Sequence, residues 1–123
     1  MTVFDSYEQT LGYKFWKLQK QLWLKYACAG LVNVTLTTDT GSYSFQLPVH
    51  LTRATERVLL PSVFGSGLNK TKTWRLQITA FQSPFKFYQQ GSGLEFLPLG
   101  SDRHACYKEM TISEMMTLGE GGG

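Results

Sequence analysis

Eight residues near the middle of the chain, Thr73-Trp-Arg-Leu-Gln-Ile-Thr-Ala80, favour one backbone conformation over all others. Trp74, Leu76, Ile78 and Ala80 share one face; Thr73, Arg75, Gln77 and Thr79 share the other. That alternation belongs to an extended chain, whose successive side chains point to opposite sides. The β-branched and aromatic residues suit a pleated, half-buried surface. A strand of this kind has two backbone edges to satisfy, so the rest of the chain must supply partners for it.

Residues 31–38 repeat the design, with Val32, Val34 and Leu36 inward and Asn33, Thr35 and Thr37 outward. Asp39-Thr-Gly41 reads as a hairpin loop, its glycine free to take a positive φ. Tyr43, Phe45 and Leu47 mark the returning strand, which Pro48 closes because it cannot donate to a ladder. Further on, Phe85 and Phe87, then Leu94 and Phe96, alternate with polar neighbours between turns at Phe81–Pro84 and Gln89–Gly93. Strands and turns at this spacing predict an all-β fold, an antiparallel, jelly-roll-like β-sandwich.

Two stretches carry mixed signals. In residues 13–28, Leu11, Phe15, Leu18, Leu22 and Tyr26 recur at helical spacing, while Leu22, Leu24, Tyr26 and Cys28 alternate as in a strand. No capping signal opens a helix at Gly12, so strand is preferred, with a register break near Gln19–Gln21 setting off a short strand over 13–18. Residues 49–56 read as a connection to a short strand, Arg57 to Leu60, and residues 62–72 as a long, mobile loop that is either functional or a simple crossover between two sheets.

The length of 123 residues suits one domain, divided here into an N-terminal arm (1–12), the sandwich (13–99) and a C-terminal arm (100–123). Ten Lys and Arg against four Asp and Glu make residues 1–90 basic, and two against five make residues 91–123 acidic. Such halves can pair between copies of the chain or lie near nucleic acid, although an ordinary solvated surface is the plainer reading. Phe4 and Tyr7 in the first arm, and Met110, Ile112, Met115, Met116 and Leu118 in the second, are the candidate interaction residues. A small domain has trouble covering such apolar anchors alone, and the closing glycines lose much entropy on ordering. A second copy or another protein is therefore the expected partner, and a chain cut before residue 108 is expected to stay folded.

No catalytic site is expected. Of the two histidines, His50 follows a strand end and His104 sits in Asp102-Arg-His-Ala-Cys106, without a nucleophile elbow beside either. Cys28, His50, His104 and Cys106 lack metal-ligand spacing, and two cysteines make no disulfide framework, so neither metal nor cofactor is expected. Cys28 should be a buried thiol. No apolar run reaches the ~20 residues that span a bilayer, and Met1 to Ser6 lacks the make-up of a secretory leader, so no membrane partner is expected. Trp16, Trp23 and Trp74, with lysines nearby, could form a stacking surface for sugar or nucleic acid, but such aromatics in a sandwich more often fill the core.

Leu22-Trp-Leu-Lys-Tyr26, Gly30-Leu-Val-Asn-Val-Thr-Leu-Thr-Thr-Asp39, Gly41-Ser-Tyr-Ser-Phe-Gln-Leu-Pro48, Arg57-Val-Leu-Leu-Pro61, Thr73-Trp-Arg-Leu-Gln-Ile-Thr79 and Leu94-Glu-Phe96 occur in an order that resembles the β-sandwich modules of tailed-bacteriophage virion proteins. The likeness spans residues 13–97. It departs at Ala80-Phe81, where the pattern prefers glycine, and has no counterpart for residues 98–123. It implies a non-enzymatic structural component of the neck, tail or capsid decoration, located in the virion after assembly in the host cytoplasm. Homo-oligomer contacts and other virion proteins are the implied partners, with no small-molecule substrate. A carbohydrate- or nucleic-acid-binding module is the alternative.

Overall fold

The computed structural model describes residues 2–12, 15–65, 67–82, 84–99 and 106–117. In chain order they form β1 (Thr2–Asp5), β2 (Lys17–Cys28), β3 (Val32–Thr38), β4 (Gly41–Leu47), β5 (His50–Leu59) and a short helix α1 (Leu60–Phe64). Then come β6 (Lys70–Thr71), β7 (Trp74–Ala80), β8 (Phe85–Phe87), a 3-10 turn (Gln89–Gly91), β9 (Gly93–Pro98), β10 (Lys108–Thr111) and α2 (Ile112–Thr117). Strands β1-β7-β3-β4 make one antiparallel sheet, and β10-β9-β2-β5 the other, with β6 and β8 also paired to β2. The two sheets pack face to face as an all-β sandwich.

The core is the sum of the inward alternations. Trp74, Leu76 and Ile78 of β7 and Val34 and Leu36 of β3 face Leu22, Leu24 and Tyr26 of β2 and Leu94 and Phe96 of β9, each at most 1% exposed. β3 and β4 pair from Val32↔Leu47 to Thr38↔Gly41, which leaves Asp39 and Thr40 as the loop; Gly41 takes φ +148°. Asp39 then ties the hairpin end to β7's approach, its carboxylate accepting from the Lys72 and Thr73 amides at 2.8 and 3.3 Å.

β2 holds the second sheet together. One edge pairs β6 at Lys17–Leu18 and β5 from Gln21 to Cys28; the other pairs β9 from Lys17 to Trp23 and β8 from Tyr26 to Cys28. The expected break at Gln19–Gln21 is real, but it is a bulge within one continuous strand. A bulge keeps the strand intact by inserting an extra residue and leaving its backbone to other partners. Here Gln19 finds them in the 62–72 connection: its amide donates to the Asn69 carbonyl at 2.8 Å, and Asn69 Nδ2 donates back to the Gln19 carbonyl at 3.0 Å. That segment is thus a fastened crossover with a helical turn, Leu60 and Phe64 buried beneath it, and Pro61 in the first helical turn where its missing N–H costs nothing.

Two expectations need correction. Residues 50–56 are no connection: they belong to the ten-residue β5, which is largely exposed and so has no apolar alternation to betray it. The terminal segments, where described, join the sandwich. β1 pairs β7, and the Ser6 amide donates to the Leu76 carbonyl at 2.9 Å. β10 pairs β9 from Lys108↔Phe96 to Thr111↔Gly93, and α2 follows against the 3-10 turn.

Candidate interaction surface

The residues proposed as anchors are placed mostly inward. Ile112 and Met115 are fully buried in the chain's own core, and Phe4, Met110 and Met116 pack half-buried against it. Phe4 meets Phe87 at 4.9 Å between ring centroids. They cover the chain's own open edges, so they have little surface left for a neighbour. Tyr7 alone of the described set is exposed; its ring lies 5.7 Å from the Arg75 guanidinium. Leu118, His104 and the closing glycines lie outside the described residues.

Chemistry-bearing groups do not converge. His50 Nε2 lies 2.6 Å from Glu56 Oε2, and its ring stands 5.5 Å from that of Tyr26. Burial, with the Glu56 carboxylate, pushes the Tyr26 phenol well up, and its hydroxyl donates to the Pro48 carbonyl at 2.5 Å. Cys28 is buried and Cys106 exposed, both as free thiols. Among the described residues no three His, Cys, Asp or Glu side chains gather as a metal site would require.

What the fold does create is two unlike outer faces. On the β7 sheet the outward strand positions are uncharged hydroxyls and amides: Asn33, Thr35, Thr37, Ser42, Ser44, Gln46, Gln77 and Thr79. Cross-strand pairs join Thr35 to Ser44 at 3.1 Å and Thr37 to Ser42 at 3.3 Å. The single charged pair on those positions is Asp5–Arg75, bound at 3.0 and 2.5 Å. The guanidinium holds the Asp5 carboxyl below its ordinary value against the opposing cost of burial, and the carboxylate raises Arg75 in turn.

The outer face of the β2 sheet is cationic and aromatic. Trp23 lies opposite Arg57, whose guanidinium sits 5.6 Å from the indole; Arg53 sits 5.4 Å from the Tyr88 ring. At the far end Lys70 and Lys72 approach Trp16 at 5.5 and 4.8 Å. Local geometry explains the placement. Arg53 precedes the inward Ala54 and so shares the outward side of Thr55 and Arg57, and between Tyr26↔Ala54 and Cys28↔His50 three β5 residues, Leu51 to Arg53, oppose Ala27 alone in a bulge. Beside it opens a hollow of about 390 Å³, floored by residues 27–29 and walled by Leu51–Arg53 on one side and Pro84, Lys86 and Tyr88 on the other. Ser92 fixes the turn beyond: its hydroxyl accepts from the Lys25 amide and donates to the Tyr88 carbonyl, each at 2.8 Å.

Sequence reasoning treated the tryptophans mainly as core. That is right for Trp74, fully buried, but Trp16 is 37% exposed and Trp23 half-buried on the outer face. Arg53 and Arg57 had no place on a face because β5 was not legible as one strand. The available signal was in β2, where Trp23 and Lys25 occupy the positions opposite to Leu22, Leu24 and Tyr26. No family model matches the chain, and neither a curated protein nor a solved structure shows a significant match to it.

Proposed function

We propose that the protein is a non-enzymatic structural component of a tailed-bacteriophage virion, in the neck, tail or capsid decoration, present in several copies. The observation that carries this reading is the uncharged outer face of the β7 sheet. Three of the six segments that carry the resemblance to phage β-sandwich modules form this sheet's strands β3, β4 and β7 side by side. Their outward positions are short hydroxyl and amide side chains bearing one internally neutralised charge pair. A face of that kind loses little on desolvation, because few charges have to leave water and each short side chain gives up little rotamer freedom. It suits repeated lateral contact with identical or related sandwiches. The half-buried and buried tail residues are not the ties in this reading; the sheet face is.

The reading is tested on particles. Virions banded on a density gradient should contain the chain in a fixed multiple per particle, by quantitative mass spectrometry. Substituting Thr35→Glu with Ser44→Glu, which puts two like charges on the face, should leave a folded protein that no longer enters particles. Absence of the wild-type chain from banded particles, or normal incorporation of the doubly charged variant, would sink the proposal.

A further inference from the structure

The β2 face has a feature that the assembly reading leaves unused. Arg53 and Lys86 at the hollow, and Lys25 and Arg57 further along the same side of the sheet, have no carboxylate partner among the described residues. Among the described residues the carboxylates on this face, Glu95 and Glu109, lie towards the β9–β10 edge, where Glu95 is already occupied by Gln21 at 2.7 Å and Lys20 at 3.9 Å. Uncompensated cations held close together repel one another. They persist at little cost only where solvent or a bound anion screens them.

We propose that the outer face of the β2 sheet binds single-stranded nucleic acid, with Arg53, Arg57, Lys25 and Lys86 meeting phosphates and the exposed Trp16 ring offering stacking surface to bases. The face follows β2 from Trp16 to Ala27, a path of roughly 36 Å at ~3.3 Å per residue, long enough for a strand of several nucleotides. Aromatic rings are interleaved with the cations along the whole path, at Trp16, Trp23 and Tyr88, and this decides between anionic partners. An acidic polypeptide would need the cations but make no use of rings; bases use both. The guanidiniums over Trp23 and Tyr88 belong to exposed residues, and resting on these rings they have already given up part of the rotamer freedom that phosphate contact would cost. On the β7 face the one ring–cation pair described, Tyr7 with Arg75, has its guanidinium already taken by Asp5. The inference does not rest on the virion proposal, and either can fail alone.

The test is fluorescence anisotropy of a labelled oligothymidylate of ~20 nucleotides at about 50 mM salt, followed by a salt titration. Micromolar binding is expected, with affinity falling on salt addition at a log–log slope near −3, as four neutralised phosphates of a single strand give at about 0.7 each. Replacing Lys25, Arg53, Arg57 and Lys86 together by Ser should weaken binding more than tenfold and flatten that slope. Trp16→Leu should weaken binding several-fold with the slope unchanged, because stacking is lost and charge is kept. Thr35→Glu on the opposite face should change neither. If the fourfold variant loses its circular dichroism signature, Arg53→Ser with Lys86→Ser, both at exposed positions, makes the same comparison. The proposal is overturned if the wild-type chain does not bind at that salt, or if the charge-removed variant binds as well. It is equally overturned if polyglutamate competes as strongly as the oligonucleotide while Trp16→Leu has no effect, which would mark an acidic protein as the occupant.

Discussion

Trp74 is the side chain on which most of the interior rests. It is fully buried, the Gln9 and Trp74 backbones exchange hydrogen bonds at 2.8 and 2.9 Å, and its indole opens the inward row of β7 that Leu76, Ile78 and Ala80 continue. Trp74→Ala should cost about 3–5 kcal/mol in denaturant unfolding, the usual penalty for deleting a large core side chain. A loss below about 1 kcal/mol would mean that neighbours collapse into the space. Thiol labelling reports on burial at the other sheet: Cys106 should react promptly with a disulfide reagent and Cys28, 2% exposed, only on unfolding. Asp5 gives a pH signature. Its folded pKa lies below the ordinary 3.8, so the unfolded state takes up its proton first as the medium becomes acid. The stability that Asp5 contributes is therefore complete above that value and is lost as pH falls through the depressed folded pKa. Asp5→Asn should flatten the acid limb of a stability–pH curve; an unchanged limb would place that proton uptake elsewhere.

At the level of elements, β9 shows how a close approach fixes a sheet. A Cβ on Gly93 would fall 2.6 Å from the Trp23 ring and 2.8 Å from the Met110 carbonyl oxygen, and the second of these is backbone. Gly93→Ala should therefore destabilise by about 1–3 kcal/mol and shift Trp23 emission, since the indole lies across this residue. Ser92→Ala should also destabilise, by about 1–3 kcal/mol, because the buried Lys25 amide loses its acceptor. Elements with one wet face were legible in the sequence: β3, β4, β7 and β9 each alternate cleanly, and their inward apolar residues are found buried, except Tyr43 and Phe45 of β4, which pack half-buried against the core. β5 was not, because Ala54 and Val58 are its only apolar inward residues among exposed neighbours, so it has no period to read. The α2 segment was ambiguous for a related reason. Met110, Ile112, Met115 and Met116 fit one helical turn or a strand by spacing alone, and the chain uses them as both, β10 first and then α2.

For the whole molecule, the misreading of the tail has a physical origin: apolar residues at a terminus look the same whether they close the chain's own sandwich or another's. Here Ile112 and Met115 are interior, and the Ile112 amide donates to the Ser92 carbonyl at 2.9 Å. Removing residues 108–123 should therefore unfold or aggregate the protein, and soluble expression with an intact cooperative transition would contradict this placement. The cationic face was hidden for a different reason, since it is assembled from β2, β5, β6 and β8 and only the pairing brings those side chains together. That pairing also sets an order in time. β2 leaves the ribosome before any of its partners, with two bare edges and an apolar face, since those partners lie at residues 50–59, 70–71, 85–87 and 93–98. β5 can close one edge first, but until β9 is synthesised the edge at Lys17–Trp23 can be satisfied only by solvent, by a chaperone or by another nascent chain. Refolding should accordingly be slow and strongly concentration-dependent in yield, and crowded polysomes are where this chain is most at risk of pairing with the wrong copy of itself.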